Sequence, residues 1–208
     1  MSDQHYCYPP TFGVLKNLAN IQDAKDLERF ETWQVSNRRR TCPNDIALTY
    51  EGYKAIHKHL FQDAYAWAGQ PRTVDIGKGN LFCRPQHIEA QMQHRFKLIA
   101  SDKGLQKHSK EVFCNRAAEH VCELNAIHPF REGNGRTQRQ FLECLAHHYG
   151  YQLNTKNIDK DLWMQASIKS FKTGDSTLMA QCVSEATKQV PRHHSVIRSR
   201  TNDKERER

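Results

Sequence analysis

Hydrophobic residues recur at three- and four-residue spacing through most of the chain. Leu27, Phe30, Trp33 and Val35 mark one such face over 23–39, and Tyr53, Ile56, His57 and Leu60 another over 49–63. Ile88, Met92, Phe96 and Ile99 continue the pattern over 85–101, and Phe113, Ala117, Val121 and Leu124 over 109–127. Phe141, Leu142, Leu145 and Tyr149 do the same over 136–149. Each predicts an amphipathic helix with its apolar stripe turned to a core. Thr49 is a candidate N-cap for the second, and Gly150 a C-terminal stop for the fifth. A further helix is expected from Asp159 or Asp161 to Phe171, broken at Gly174, and a last one from Asp175 or Ser176 to about Lys188. The stretch 151–158 reads as a connection.

One segment departs from the helical period. Over 73–85, Val74, Ile76 and Leu81 bracket Gly77-Lys78-Gly79-Asn80. β-branched and apolar residues around a Gly/Asn turn predict a β-hairpin. The expected architecture is therefore all-α, mostly helical, with one short β-hairpin. Residues 1–20, with Pro9-Pro10 and Gly13, read as an extended, turn-rich entry.

At 208 residues the chain is expected to form a single domain over 1–190, followed by a basic polar tail at 191–208. That tail is poor in apolar residues. It reads as disordered, or as a linker to a domain not present in a fragment. Net charge is +8, but residues 188–208 supply +4 of it, so no nucleic-acid partner is expected. No apolar run reaches membrane-spanning length, and MSDQHYCYPP lacks the apolar core of a signal peptide. Seven cysteines lie scattered without CxxC spacing, and Cys114, Cys122 and Cys144 read as small core residues of a reducing compartment. Arg38, Arg39 and Arg40 read as a solvated, dipole-matched helix end.

The chemistry concentrates in Ile127–Arg139, IHPFREGNGRTQR. Pro129 disfavours helical geometry at His128 and should end the preceding helix near Ile127. Gly133-Asn134-Gly135 then feeds a helix from about Arg136. A glycine-rich loop entering a helix presents free N–H groups and the positive end of the dipole, which together make an anion site. Arg136 and Arg139, three apart, share a face there, and two guanidinium forks suit a polyphosphate. Glu132 suits Mg²⁺, which takes one or two carboxylates with phosphate oxygens and water. His128 titrates near neutrality and is a candidate general base. Trp67 and Trp163 read as core anchors.

His128 to Arg139 resembles the HPFx(D/E)GN(G/K)RxxR signature of the Fic family at every fixed position. Leu60 to Arg72 resembles that family's LFxxxYxWAGxxR block. Tyr8 to Asn17 resembles the start of Fic domains from type IV-secreted Bartonella effectors and their toxin relatives. The resemblance implies the Fic fold and a protein adenylyltransferase, which moves AMP from ATP to a Ser, Thr or Tyr hydroxyl of a target protein and releases pyrophosphate.

By the same resemblance His128 is the base and Glu132 the Mg²⁺ ligand. Gly133, Asn134 and Gly135 cradle phosphates, Arg136 faces the pyrophosphate, and Arg139 fixes the outermost phosphate, while Phe130 points into the core. The hairpin residues Ile76, Gly77, Lys78, Gly79, Asn80 and Leu81 form a flap that pairs with the target, and Lys78 and Gly79 also reach the nucleotide. The stretch from Trp163 to Asp175 walls the base pocket, with Trp163 or Ser167 near adenine.

Many Fic proteins carry an inhibitory helix with Ser or Thr, three residues, then Glu followed by Gly or Asn. This chain has no copy, which implies restraint in trans by a small antitoxin meeting Arg139. The expected target is a host small GTPase or a bacterial enzyme such as a topoisomerase. The expected compartment is the bacterial cytoplasm, or the host cytoplasm for a secreted effector. The alternatives are a Fic-fold transferase of another nucleotide or phosphate-containing group, or a non-catalytic nucleotide- or protein-binding Fic module.

Overall fold

The carboxylate of Asp23 accepts from the backbone N–H groups of Lys25 (2.9 Å) and Asp26 (3.0 Å) and starts helix α1, Ala24–Arg40. Thr49 caps α2, Tyr50–Phe61, in the same way through Gly52. Pro85 at the first turn opens α3, Pro85–Ser101, and Ser109 caps α4, Lys110–Ile127. Helix α5 is Asn134–His148, α6 is Lys160–Thr173 capped by Asp159, and α7 is Thr177–Ala186. The periodic faces thus become helices within a residue or two of their sequence-read ends. The computed structural model describes residues 3–78, 80–107 and 109–189.

Helix α4 is the central element. Phe113, Ala117, Val121 and Leu124 are fully buried, and α3, α5, α6 and α7 pack around it. Helix α2 lies against α1, α3 and α5, so α2 and α4 flank the start of α5. One hydrophobic core runs through all these helices. A smaller cluster of Tyr6, Cys7 and Val74 seals the N-terminal segment against the hairpin stem.

The hairpin forms where the sequence places it. Strand β1, Gly77–Lys78, pairs antiparallel with β2, Asn80–Leu81. A second two-stranded sheet corrects the sequence reading of 151–158 as a plain connection. Strand β3, Tyr151–Leu153, pairs antiparallel with β4, Thr187–Gln189, so the last helix ends at Ala186 rather than near Lys188. The expected tail at 191–208, Gly79, and the side chains of Lys78 and Asn80 lie outside the described residues. Among the described residues no helix is long and apolar enough to cross a membrane.

Of the three arginines ending α1, Arg38 and Arg39 are paired, while Arg40 is exposed as the sequence suggested. Arg38 grips Asp63 with both arms of its fork, and Arg39 binds Glu143 on α5 at 2.6 Å. They bind α1 to the body of the protein, where the sequence suggested a solvated helix end. Cys114 and Cys144 are buried and Cys122 half-buried, and all seven cysteines are free.

Candidate active site

Helix α4 delivers His128 at its C-cap. The residue adopts φ 50° and ψ 62°, the left-handed region, while its N–H still bonds Leu124 O at 3.0 Å. Pro129 excludes helical geometry, but the outcome is a left-handed turn and not the extended backbone usual before proline. A β-carbon-bearing residue held there is a strained, over-determined position. The imidazole Nδ1 lies 3.2 Å from the carbonyl oxygen of Asn125. A carbonyl only accepts, so this bond assigns the proton of the neutral ring to Nδ1 and leaves Nε2 as the basic atom. Phe82, leaving the hairpin, stacks on the same ring at 3.9 Å and 13°.

The loop after His128 is clamped from inside. Asn134 is buried, accepts from Phe130 N (2.9 Å) and donates to Phe130 O (2.7 Å). Its side chain therefore shapes the loop, and what Asn134 offers a ligand is its backbone N–H. Phe130 is fully buried and stacks 3.8 Å from His57, itself buried on α2. This stack continues from Phe130 to Tyr53 and from His57 through Trp67 to Tyr65. His57 Nε2 donates to the carbonyl oxygen of Glu132, and its Nδ1 accepts from Gly69 N at 2.8 Å. In the sequence His57 is one more periodic position, and nothing there marks it as a support of the loop.

Helix α5 starts at Asn134, two residues before the sequence-read start, with Gly133 as its left-handed N-cap at φ 81°. A Cβ on Gly133 would stand 2.3 Å from Cζ of Phe61, so only glycine fits. The N–H groups of Asn134, Gly135 and Arg136 have no intrahelical acceptor and mark the positive end of the dipole. Gly135 opens onto free space. The Glu132 carboxylate accepts from Gly133 N at 2.8 Å and lies 3.4 Å from Arg136.

The two arginines differ sharply. Arg136 stacks over Phe61 at 4.7 Å and pairs with Glu31 of α1 at 2.5 Å. Glu31 is buried and also accepts from the Tyr65 hydroxyl. Arg139 lies over the Trp163 ring at 5.8 Å, and no ion pair to a carboxylate is seen for it among the described residues. Burial, with Arg39 and Arg136 nearby, pushes its proton affinity down to about 10. It is a cation placed for an anion that no described residue supplies.

These groups line one cleft of about 690 Å³, within the range of small-molecule sites. Ile76, Gly77 and Phe82 border it on the hairpin side, and Trp163, Met164, Ser167, Ile168 and Phe171 of α6 form a further wall that meets the hairpin side where Phe82 and Phe171 touch, ring centroids 5.0 Å apart. Trp163 is thus both buried core and cleft wall. Leu81 points outward and is 63% exposed.

A helix N-terminus opened by glycines, two arginines on its first turns and a histidine of assigned tautomer together make a polyphosphate site with an adjacent base. That is the equipment of a nucleotide-handling group-transfer protein. A model of the Fic/DOC family matches residues 47–146. The chain is 44% identical over 176 residues to a probable protein adenylyltransferase, y4lH, of Sinorhizobium fredii, covering 84% of this chain and 91% of that one. It is 35% identical to the probable protein adenylyltransferase Fic of Escherichia coli K12, covering 87% and 92%. Among solved structures, the VirB-translocated effector BepC of Bartonella tribocorum with bound AMPPNP superposes with a TM-score of 0.83. It is 25% identical, with 90% of this chain and 98% of that one covered. The chain belongs to the Fic/DOC family.

Proposed function

We propose that this protein is an adenylyltransferase that moves AMP from ATP to a side-chain hydroxyl of a target protein. The observation that carries the reading is the cleft itself: His128, the first-turn amides of α5 and Arg139, which pairs with no carboxylate among the described residues, face one space. The hydroxyl oxygen forms a bond to the α-phosphorus while the bond from that phosphorus to the bridging oxygen breaks. The hydroxyl proton passes to Nε2 of His128, and pyrophosphate leaves. General-base help of this kind contributes about 10²–10⁴-fold. The amides of Asn134, Gly135 and Arg136 and the Arg136 guanidinium stabilise charge on the transferring and departing phosphates. Arg139 holds the outermost phosphate.

The donor set fits Mg²⁺. Glu132 offers a half-exposed carboxylate at the rim of the amide-lined site, and Mg²⁺ needs little more from protein when phosphates and water complete its shell. Bound there, the ion would neutralise phosphate charge.

The hairpin serves as the target-docking flap. A two-stranded ribbon leaves outer edges to which an extended target segment can add as a strand. Leu81 offers an apolar side chain beside that edge. Arg139, which has no carboxylate partner among the described residues, supports restraint in trans by an antitoxin glutamate, and the target is a host small GTPase or a bacterial enzyme.

The test is transfer from labelled ATP into one bacterial and one eukaryotic lysate. Wild-type protein should label a discrete band in one of them, and His128→Ala should label none while still binding nucleotide. Labelling by His128→Ala at the wild-type rate would refute the reading.

A further inference from the structure

Arg72 is 2% exposed, and burial lowers its proton affinity. A cation so placed must find oxygens. Its guanidinium finds four, all backbone carbonyls. Nε donates to His128 O at 2.8 Å and Nη1 to Val74 O at 2.7 Å. Nη2 donates to Ile127 O at 3.3 Å and to Cys83 O. The Arg72 backbone N–H donates to Pro129 O at 2.8 Å.

These acceptors belong to three separate pieces of chain. Ile127 and His128 end α4, where the carbonyls of a helix are otherwise orphaned and carry the negative end of its dipole. Val74 enters the hairpin and Cys83 leaves it. Cys83 N also donates to Ala126 O at 3.3 Å, and Phe82 beside it stacks on the His128 ring. One planar fork therefore touches both stems of the hairpin and the backbone that carries His128.

We infer that Arg72 is a positioning residue that keys the hairpin to His128, so that a target segment added along the hairpin arrives in register with the basic nitrogen. The inference rests on the proposed AMP transfer. Lysine cannot replace this arginine, because a single ammonium has no rigid fork with which to span carbonyls on three segments. Among the described residues the Arg72 guanidinium bonds no residue from Phe130 to Arg139, and its contact with Pro129 is made by backbone N–H, which lysine keeps, so the nucleotide site is left intact by the substitution.

The experiment compares Arg72→Lys with wild-type protein in the lysate that wild type labels. Transfer should fall at least about tenfold, because a small misplacement between reacting groups is costly. ADP affinity should stay within about twofold, a change of about 0.4 kcal/mol. The Phe82 and Cys83 amides should exchange faster with solvent, while amides in the middle of α4 should not.

Wild-type transfer by Arg72→Lys would overturn the inference. So would parallel losses of transfer, ADP affinity and melting temperature, which mark a merely structural role. Should the variant not fold, hydrogen exchange on wild type decides. Keyed elements open together, so the Phe82, Cys83 and His128 amides should share one opening free energy. Hairpin amides that open far more readily than His128 would refute the coupling. If wild type transfers no AMP at all, the functional reading has failed, and the exchange data still judge the coupling by itself.

Discussion

Nε2 of His57 donates a hydrogen bond to the carbonyl oxygen of Glu132, 3.0 Å away, and so joins the core of α2 to the anion loop. Burial holds this imidazole neutral, with a proton affinity pushed down to about 3. The unfolded chain would bind a proton there near pH 6.5. The stabilisation is thus complete above that pH and is lost as pH falls toward the folded value. By linkage, His57 alone should cost about 2 kcal/mol of stability between pH 7 and pH 5. Denaturant unfolding at the two pH values should show this drop in wild type and a smaller one in His57→Phe. An equal drop in the variant would place the dependence elsewhere, for instance at His120, whose affinity burial also lowers.

Arg139 is a largely desolvated cation near Arg39 and Arg136, with no carboxylate partner among the described residues. Arg139→Gln removes that repulsion and should stabilise the ligand-free protein by on the order of 1 kcal/mol. The same change should abolish the rise in melting temperature that ATP gives wild type. Thermal melts with and without ATP measure both effects.

Gly133→Ala meets two penalties at once. Alanine is strained by about 1–2 kcal/mol at the left-handed φ of 81°. Its methyl group would also collide with Phe61, adding roughly 1–3 kcal/mol. Phe61→Leu in the same chain should recover the second part only, so the double variant is less destabilised than the sum of the two singles. Nucleotide binding should stay weak in the double variant, because Arg136 has lost the ring it stacks on.

Glu31 is the shared partner of Tyr65 and Arg136. A double-mutant cycle between Tyr65→Phe and Glu31→Gln should show a coupling of about 1 kcal/mol or more, because the members of one buried network do not add. Unfolding free energies of the four proteins give the value, and a coupling indistinguishable from zero would mean that the hydroxyl and carboxylate act independently.

The helices were readable because their ends carry local chemistry. Asp23, Thr49, Ser109 and Asp159 accept from first-turn amides, and Gly174 takes the left-handed position after α6. The family motif made the members of the site legible, from His128 to Arg139. What stayed hidden depends on distance along the chain. Strands β3 and β4 have three residues each and pair across an intervening pair of helices, so no local period announces them. Nothing near Glu31 points to Arg136, more than a hundred positions on. The clamp of Asn134 on Phe130 looks in sequence like another ligand-facing side chain, because residue type alone does not say which way an amide turns.

The aromatic stack running from Tyr53 through Phe130 and His57 to Trp67 changes what ligand binding has to accomplish. Glycine-rich loops are ordinarily mobile, and a ligand that gathers a mobile loop loses conformational entropy in doing so. Here Phe130 and the Glu132 carbonyl are already fixed to the interior of the molecule. A polyphosphate therefore meets a finished surface, and the loop surrenders little motional freedom when it closes on its ligand.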